Sequence, residues 1–302
     1  MACLDRARIV GGYRRMCRIA LVLFGLLAWP GLLAAQEPAP ARAQVDRQRD
    51  RGEGVSTSMF GTYVRKGELL FYPFFEHYRD GNFEYTPAEL GSAGERDYRG
   101  RYRANEGLVL LSYGVNERVA VEFEMAYIGA RLDKAIDDTS PLAGRTAESG
   151  LGDVEGQIRW RWNRESDRRP EIFSYAEVVA PHHREKVLIG TSGWQLKYGT
   201  GFVRGFAFGT LTARAAVEYD EASSSHFDAG EYAVEYLRRL SPKWRVFAGL
   251  EGKTDEATLI GEVQWHATPR MFFKFNNGVG LTSKAAGWAP EIGVVFSFGR
   301  AP

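Results

Sequence analysis

Residues 149–162 read S-G-L-G-D-V-E-G-Q-I-R-W-R-W, and from Asp153 onward polar and apolar side chains alternate one for one. Val154, Gly156, Ile158, Trp160 and Trp162 share one side of an extended chain, against Asp153, Glu155, Gln157, Arg159 and Arg161 on the other. Side chains two residues apart share a face in a β-strand and not in a helix, so this period commits the segment to a strand. The glycines Gly150, Gly152 and Gly156 superficially match a nucleotide-binding turn. That fingerprint requires G-x-G-x-x-G followed by a helix. Here the third glycine comes one residue late and a strand follows. Gly150 and Gly152 are expected to let a long external loop turn into the strand, with Gly156 in its apolar row.

The same period recurs. In V-A-V-E-F-E-M-A-Y (119–127), Val119, Val121, Phe123, Met125 and Tyr127 oppose Ala120, Glu122, Glu124 and Ala126. In W-R-V-F-A-G-L-E-G-K (244–253), Trp244, Val246, Ala248 and Leu250 oppose Arg245, Phe247, Gly249, Glu251 and Lys253. Continued along the chain, this reading gives about twelve strands, near 68–79, 99–114, 118–130, 151–163, 170–181, 193–205, 209–220, 227–238, 243–253, 257–267, 270–282 and 287–298. The connections fall into two alternating classes. Those near 115–117, 164–169, 206–208, 239–242 and 268–269 are short, whereas 80–98, 131–150 and 182–192 are long and polar. Short turns on one side and long loops on the other, with an even strand number, describe an all-β transmembrane up-and-down antiparallel barrel of the bacterial outer-membrane type.

Alternation alone leaves open which face is buried, and a large secreted β-sandwich also alternates. Three observations favour apolar side chains outward, in lipid. A closed barrel of about twelve strands is too wide for apolar side chains to fill. The aromatic residues Trp160, Trp162, Trp244, Trp265, Phe296 and Phe298 gather at the short-turn ends of the strands. Tyr127, Trp194, Tyr219 and Trp288 gather at the opposite ends, so two girdles bracket the lipid. Third, the other faces carry both signs of charge. The residues expected to line the lumen are Glu122, Glu124, Asp153, Glu155, Arg159 and Arg161 in the first half of the barrel. Lys197, Arg214, Glu218, Glu231, Glu235 and Arg245 follow, and then Glu251, Lys253, Glu262, His266, Lys274 and Glu291. Such a lining either borders a narrow aqueous path or pairs across strands and closes the interior.

The N-terminus carries I-A-L-V-L-F-G-L-L-A (19–28) behind Arg14, Arg15 and Arg18, with small residues beyond. This is the form of a secretory signal peptide, expected to occupy 1–35, with Met16 as an alternative start. The apolar core falls short of the ~20 residues a helical span needs. Cys3 and Cys17 both lie in that region, so the exported chain would hold no cysteine. The whole chain has formal charge +1; losing residues 1–35 removes five Arg and one Asp and leaves −3. Interspersed signs near neutrality give no footprint for nucleic acid. Residues 36–67, polar and rich in Ala, Pro, Gly and Arg, read as a flexible leader that either stays in the periplasm or enters the lumen. The strands then occupy 68–298, and 299–302 form a tail.

No cofactor, metal centre or catalytic group is expected. The five histidines are His77, His182, His183, His226 and His266. Adjacent His182 and His183 point to opposite sides of an extended chain and lack a third ligand. His226 follows Ser223, Ser224 and Ser225, but no orienting group or oxyanion site accompanies them.

With these segments identified, the chain resembles the outer-membrane β-barrel family named for the meta-pathway of phenol degradation. Y-G-V-N-E-R-V-A-V-E-F-E (113–124), the Ser-Gly-Leu-Gly-Asp opening at 149–153 and L-I-G-T-S-G-W-Q-L-K-Y-G-T-G (188–201) carry the resemblance. It implies transport of hydrophobic or aromatic compounds. Pro181-His182-His183 departs from the Pro-Thr-Gly expected there. Gly-Arg-Ala-Pro after Phe298 departs from the terminal aromatic that barrel-assembly machinery commonly reads. The leading expectation is a passive, porin-like outer-membrane channel in contact with outer-membrane lipid and small solutes. A largely closed structural or interaction barrel working through its external loops is the alternative, and a lipid-modifying enzyme the third.

Overall fold

A strand in hydrocarbon must find backbone partners on both edges, which an open sheet cannot provide. The computed structural model, which describes residues 51–94, 96–222, 226–253 and 255–299, meets this condition by closure. Twelve strands form one antiparallel barrel: β3 (Leu69–Tyr85), β4 (Tyr98–Gly114), β5 (Val119–Asp133), β6 (Arg145–Asn163), β7 (Glu171–Ala180), β8 (Gln195–Phe206), β9 (Gly209–Asp220), β10 (Phe227–Arg239), β11 (Trp244–Lys253), β12 (Glu256–Thr268), β13 (Met271–Gly280) and β14 (Ala289–Phe298). Each pairs with its sequence neighbours, and β14 returns to β3, where Ile292 faces Phe75 and Phe298 faces Leu69. The fold is that of a bacterial outer-membrane β-barrel. The expected signal peptide, residues 36–50, Ser223–Ser225 and residues 300–302 lie outside the described residues.

The face assignment follows the alternation. Val121, Phe123, Ile158, Trp162, Val263, Phe275 and Ile292 are exposed on the outer surface, while Glu122, Arg159, Glu262, Lys274 and Glu291 are buried. Burying such apolar faces in hydrocarbon contributes roughly 25 cal/mol per Å². Aromatic rings cluster at both rims. On the short-turn side Trp160 meets Trp162 and Tyr198, Trp265 lies between Trp244 and Phe273, and Phe296 between Phe71 and Phe298. Tyr127, Trp194 and Trp288 are exposed at the far rim, and Tyr219 meets Phe227 edge-on there.

Three features differ from the sequence reading. The outer ends of β3, β5 and β6 run several residues beyond the expected boundaries, because charged cross-strand pairs outside and a buried cluster of Tyr85, Tyr98 and Leu132 inside sustain the pairing. Gly150 and Gly152 do not mark a loop-to-strand boundary; they lie inside β6, which begins at Arg145. There a bulge sets an extra β6 residue between the pairs Met125–Val154 and Tyr127–Leu151. The bulge switches which parity faces inward, so Glu148 and Asp153 both point to the lumen side. Gly150 adopts φ 145°, and a Cβ on Gly152 would stand 2.8 Å from Ile128 Cδ1.

The third difference concerns residues 51–67, within the stretch read as a flexible leader that either stays in the periplasm or enters the lumen: they are ordered. They form a short hairpin of β1 (Val55–Ser56) and β2 (Tyr63–Val64), with Val55 paired to Val64. Both valines are buried against Leu70 and Tyr72 of β3, Leu108 and Leu110 of β4, and Val295 of β14. The hairpin tip spans the ring: Phe60 lies 5.2 Å from Phe247 of β11 and its carbonyl accepts from Gln264 of β12, while Ser58 donates to Glu122 of β5, six strands from β11. A segment this short touches strands on opposite sides of a ring only from within. It is a plug in the lumen.

Candidate functional site: a plugged lumen with two vestibules

Alternation aims a charged or polar side chain inward at every second residue, and the plug meets these from β5, β6, β12 and β13. The backbone N–H of Ser58 donates to the Glu122 carboxylate at 3.0 Å, and its hydroxyl donates to the same oxygen. Arg159 donates to the Ser56 carbonyl at 2.9 Å and lies over the rings of Phe173 and Tyr175. Arg161 donates to the Gly54 carbonyl at 2.6 Å. Lys274, with no exposed surface, stands 4.5 Å from the Phe60 ring, 4.9 Å from that of Tyr72 and 3.3 Å from Glu262. Gly61 turns the tip at φ 65°, and a Cβ there would press to 2.9 Å from Leu237. These contacts offset part of the cost of burying charges that could not stay buried alone.

On the other half of the wall the lumenal charges pair with one another. Lys197 bridges Glu177 at 2.8 Å and Glu231 at 3.1 Å. Arg214 takes Glu231 at 2.6 Å, Glu235, and Glu251 at 3.7 Å. Arg161 and Arg51 both reach Glu171 at 3.3 Å. Glu218 is the direct cross-strand neighbour of Lys197. Lys253 is exposed at the outer end of β11, apart from this network.

The plug divides what remains. Outward of it lies a cavity of about 530 Å³. Met59 and Phe60 of the plug line it, with Phe74, Leu108 and Ile260 from the wall and Val187–Thr191 from the β7–β8 loop. Ile189, buried among Ala104 and Ala130, anchors that loop, and Asp153 accepts backbone N–H groups from His182 and Thr191. Seven carboxylates line the cavity (Glu76, Glu106, Glu124, Asp153, Glu155, Glu251 and Glu291), and no Lys or Arg among the described residues does. Their placement is crowded: Glu291 faces Glu76, Glu76 faces Glu106, and Glu124 faces Glu155 across adjacent strands. Like charges directly opposite destabilise a sheet. On the other side of the plug a second cavity, of about 420 Å³, is lined by Arg51, Arg65, Lys66, Arg245, His266 and Arg270, with Glu53 and Glu68.

Sequence reasoning missed Glu76 and Glu106. β3 reads F-Y-P-F-F-E-H-Y, aromatic on both faces, so its register shows no contrast. It also missed Glu171 and Glu177, and the plug residues Ser56, Ser58 and Phe60. The histidines fall in separate settings. His182 stacks edge-on against His183, which lies 3.5 Å from Glu185. His226 Nδ1 is 3.1 Å from the Asp220 carbonyl, with Ser223–Ser225 outside the described residues. His77 bonds Asn105 at 2.9 Å on the outer surface. No group of three metal-ligating side chains occurs among the described residues.

No family model matches the sequence, and no curated protein matches it. Solved structures do. An outer-membrane channel from Pseudomonas putida F1 is 13% identical with a TM-score of 0.57, covering 81% of this chain and 100% of that one. The translocator domain of the autotransporter NalP from Neisseria meningitidis is 12% identical, with a TM-score of 0.49 over 85% and 97% of the two chains. The toluene transporter TbuX of Ralstonia pickettii is 10% identical, with a TM-score of 0.40 over 82% and 98%. At such identities the likeness is one of fold, and the P. putida channel carries it: this chain has the architecture of an outer-membrane β-barrel.

Proposed function

We propose that this chain is an outer-membrane channel for small solutes, held closed in this structure by its own N-terminal hairpin. The observation that carries the reading is the pair of lumenal cavities, one on each side of residues 55–64. A barrel built only as a scaffold could fill its interior with paired charges throughout, as the wall around Lys197 and Arg214 does. The outer cavity instead keeps Glu76, Glu106, Glu124 and Glu155, which make no ion pair among the described residues, facing open space.

Solute class follows from that lining. Phe60, Phe74, Leu108 and Ile260 offer apolar surface beside a concentration of negative charge. A small aromatic or apolar compound, neutral or positively charged, matches it, whereas an anion meets repulsion from every side. The resemblance of residues 113–124, 149–162 and 188–201 to a family of aromatic-compound transporters supports the same class. The ion-paired wall and the plug favour the second reading, a closed barrel that acts through its loops.

Swelling of proteoliposomes separates the two. Cationic and neutral aromatic amino-acid amides of similar size should enter faster than into protein-free vesicles, and an anionic analogue more slowly than either. Uptake equal to that of protein-free vesicles for all three solutes, with the plug deleted as well, would leave the closed barrel standing.

A further inference from the structure

On the outward surface, beyond the lipid-facing aromatic residues, the sheet places arginines directly beside one another. Arg79 of β3 is the cross-strand partner of Arg103 of β4, and Arg103 is the partner of Arg131 of β5. Two residues farther along, Arg101 and Arg145 flank Asp133 from either side. Asp133 holds Arg131 at 2.8 Å, Arg145 at 2.6 Å and Arg101 at 3.7 Å. Among the described residues Arg79 and Arg103 make no ion pair, and both are exposed. Asp133 therefore serves three of the five guanidinium groups, and two go without a carboxylate. Like charges opposite one another cost a sheet stability, so this row fits a place where a mobile partner supplies the missing negative charge.

Height along the barrel identifies that place. Phe75, Gly107, Tyr127 and Leu151 form one tier of direct partners, and Tyr127 is 61% exposed to lipid. The arginine row stands four residues farther along each strand, roughly 13 Å of chain and about 10 Å of height at the usual strand tilt. His77, Asn105 and Gly129 occupy the tier between. Trp288, an exposed ring of the far girdle, pairs its backbone with that of Arg79 at 2.9 and 3.1 Å. Such rings mark the water–lipid interface. The row belongs to the headgroup layer on the long-loop side, which in barrels of this architecture faces outward.

We propose that Arg79, Arg103 and Arg131, with Arg101 and Arg145 beside them, form a docking site for the phosphate groups of an outward-leaflet lipid. A guanidinium fork matches two phosphate oxygens at once. Asp133 orients Arg131 and Arg145 and leaves Arg79 and Arg103 to the ligand. A lipid fits better than free phosphate, because acyl chains hanging from a phosphate at this height would lie over Phe75, Tyr127 and Leu151. The inference is independent of what passes through the lumen.

Native mass spectrometry of the refolded full chain with lipid A tests this site. Bisphosphorylated lipid A should be retained, and its dephosphorylated form should not. The Arg79→Gln/Arg103→Gln/Arg131→Gln variant should bind the phosphorylated lipid about tenfold more weakly or worse, given the strength of charge-assisted bonds. Heat-modifiable migration reports whether the variant is folded; if it is not, Arg103→Gln alone should still weaken retention. Equal retention of the two lipid forms, or equal retention by wild type and variant, would overturn the proposal. Displacement of the lipid by inorganic phosphate at equal concentration would overturn the choice of a lipid as occupant.

Discussion

The Arg159 guanidinium donates to the Ser56 carbonyl at 2.9 Å, tying stave β6 to the hairpin that fills the lumen. The bond also explains how a charge remains buried in the wall of a barrel. Arg159 has 2% of its surface exposed, and its nearest carboxylate oxygen, on Glu122, is 3.9 Å away. The plug therefore completes the wall as much as the wall holds the plug. Replacing Arg159 by Met should loosen the hairpin without unfolding the barrel. A Ser58→Cys reporter should then react faster with a water-soluble thiol reagent in the Arg159→Met background. Equal labelling rates would remove Arg159 from the latch.

The inside–outside assignment is tested by a neighbouring pair. Ile158 is exposed on the lipid face, and Gln157 points inward toward Glu177, to which it donates. Ile158→Arg should lower folding stability by about 2–4 kcal/mol if the residue lies near the bilayer midplane. Gln157→Arg, among carboxylates, should cost far less. Urea titration of the refolded barrels reads the difference, and the opposite ranking would reverse the register.

Charge selectivity should reside in the Glu124–Glu155 pair and its neighbours. A variant lacking the plug should prefer cations across a salt gradient, since no Lys or Arg among the described residues lines the outer cavity. Glu124→Gln/Glu155→Gln should shift its reversal potential toward zero. An unchanged potential would place selectivity elsewhere.

Glycine sites differ sharply in what surrounds them. A Cβ on Gly199 would stand 2.2 Å from the ring of Tyr175, whereas one on Gly107 meets nothing within 4 Å. Gly199→Ala should destabilise the barrel by about 1–3 kcal/mol through overpacking. Gly107→Ala should be close to neutral by the same urea titration.

At the outer mouth Lys284 joins Glu89 and Asp255 at 2.7 Å each, linking three external connections. Partial burial works against the Glu89 charge, yet hydrogen bonds from Lys284 and Thr86 hold its carboxyl below the ordinary carboxylate value. A carboxyl with a lowered folded value contributes stability above its unfolded pKa, ~4.3, and loses that contribution as pH falls through the folded value. The clasp is partly exposed and worth at most about 1 kcal/mol. Limited proteolysis of the loops should thus rise on acidification below about pH 4, and Lys284→Met should reproduce the rise at neutral pH. Loops equally resistant in both proteins would show that the clasp is idle.

Most of the barrel was legible because lipid on one side and water on the other impose a period of two on every stave. β9, at Gly209–Asp220, matches the sequence reading residue for residue. Where the physical contrast fades, so does the signal. The strand ends around Asp133 and Arg145 carry charge on the outward face and read as loop, although Leu132 is buried inward beside Tyr85 and Tyr98. Pro73, inside β3, sits among aromatics on both faces, and the inward Glu76 is hidden with them. The bulge at Gly152 breaks the parity that a run of alternating letters implies. The hairpin at 55–64 was the least legible part. Its pairing is two residues long on each side, and its burial depends on strands far away in sequence, Phe247 and Lys274 among them.

Single-channel recording in planar bilayers, comparing the full chain with a variant lacking residues 51–67, addresses the central claim most directly. Without the hairpin, water would replace it around Arg159, Arg161 and Lys274, so the barrel itself should persist. The expected result is a low or flickering conductance for the full chain and steady, ohmic, cation-preferring steps for the shortened one. A shortened barrel that is folded by heat-modifiable migration and yet silent at every voltage would contradict the account.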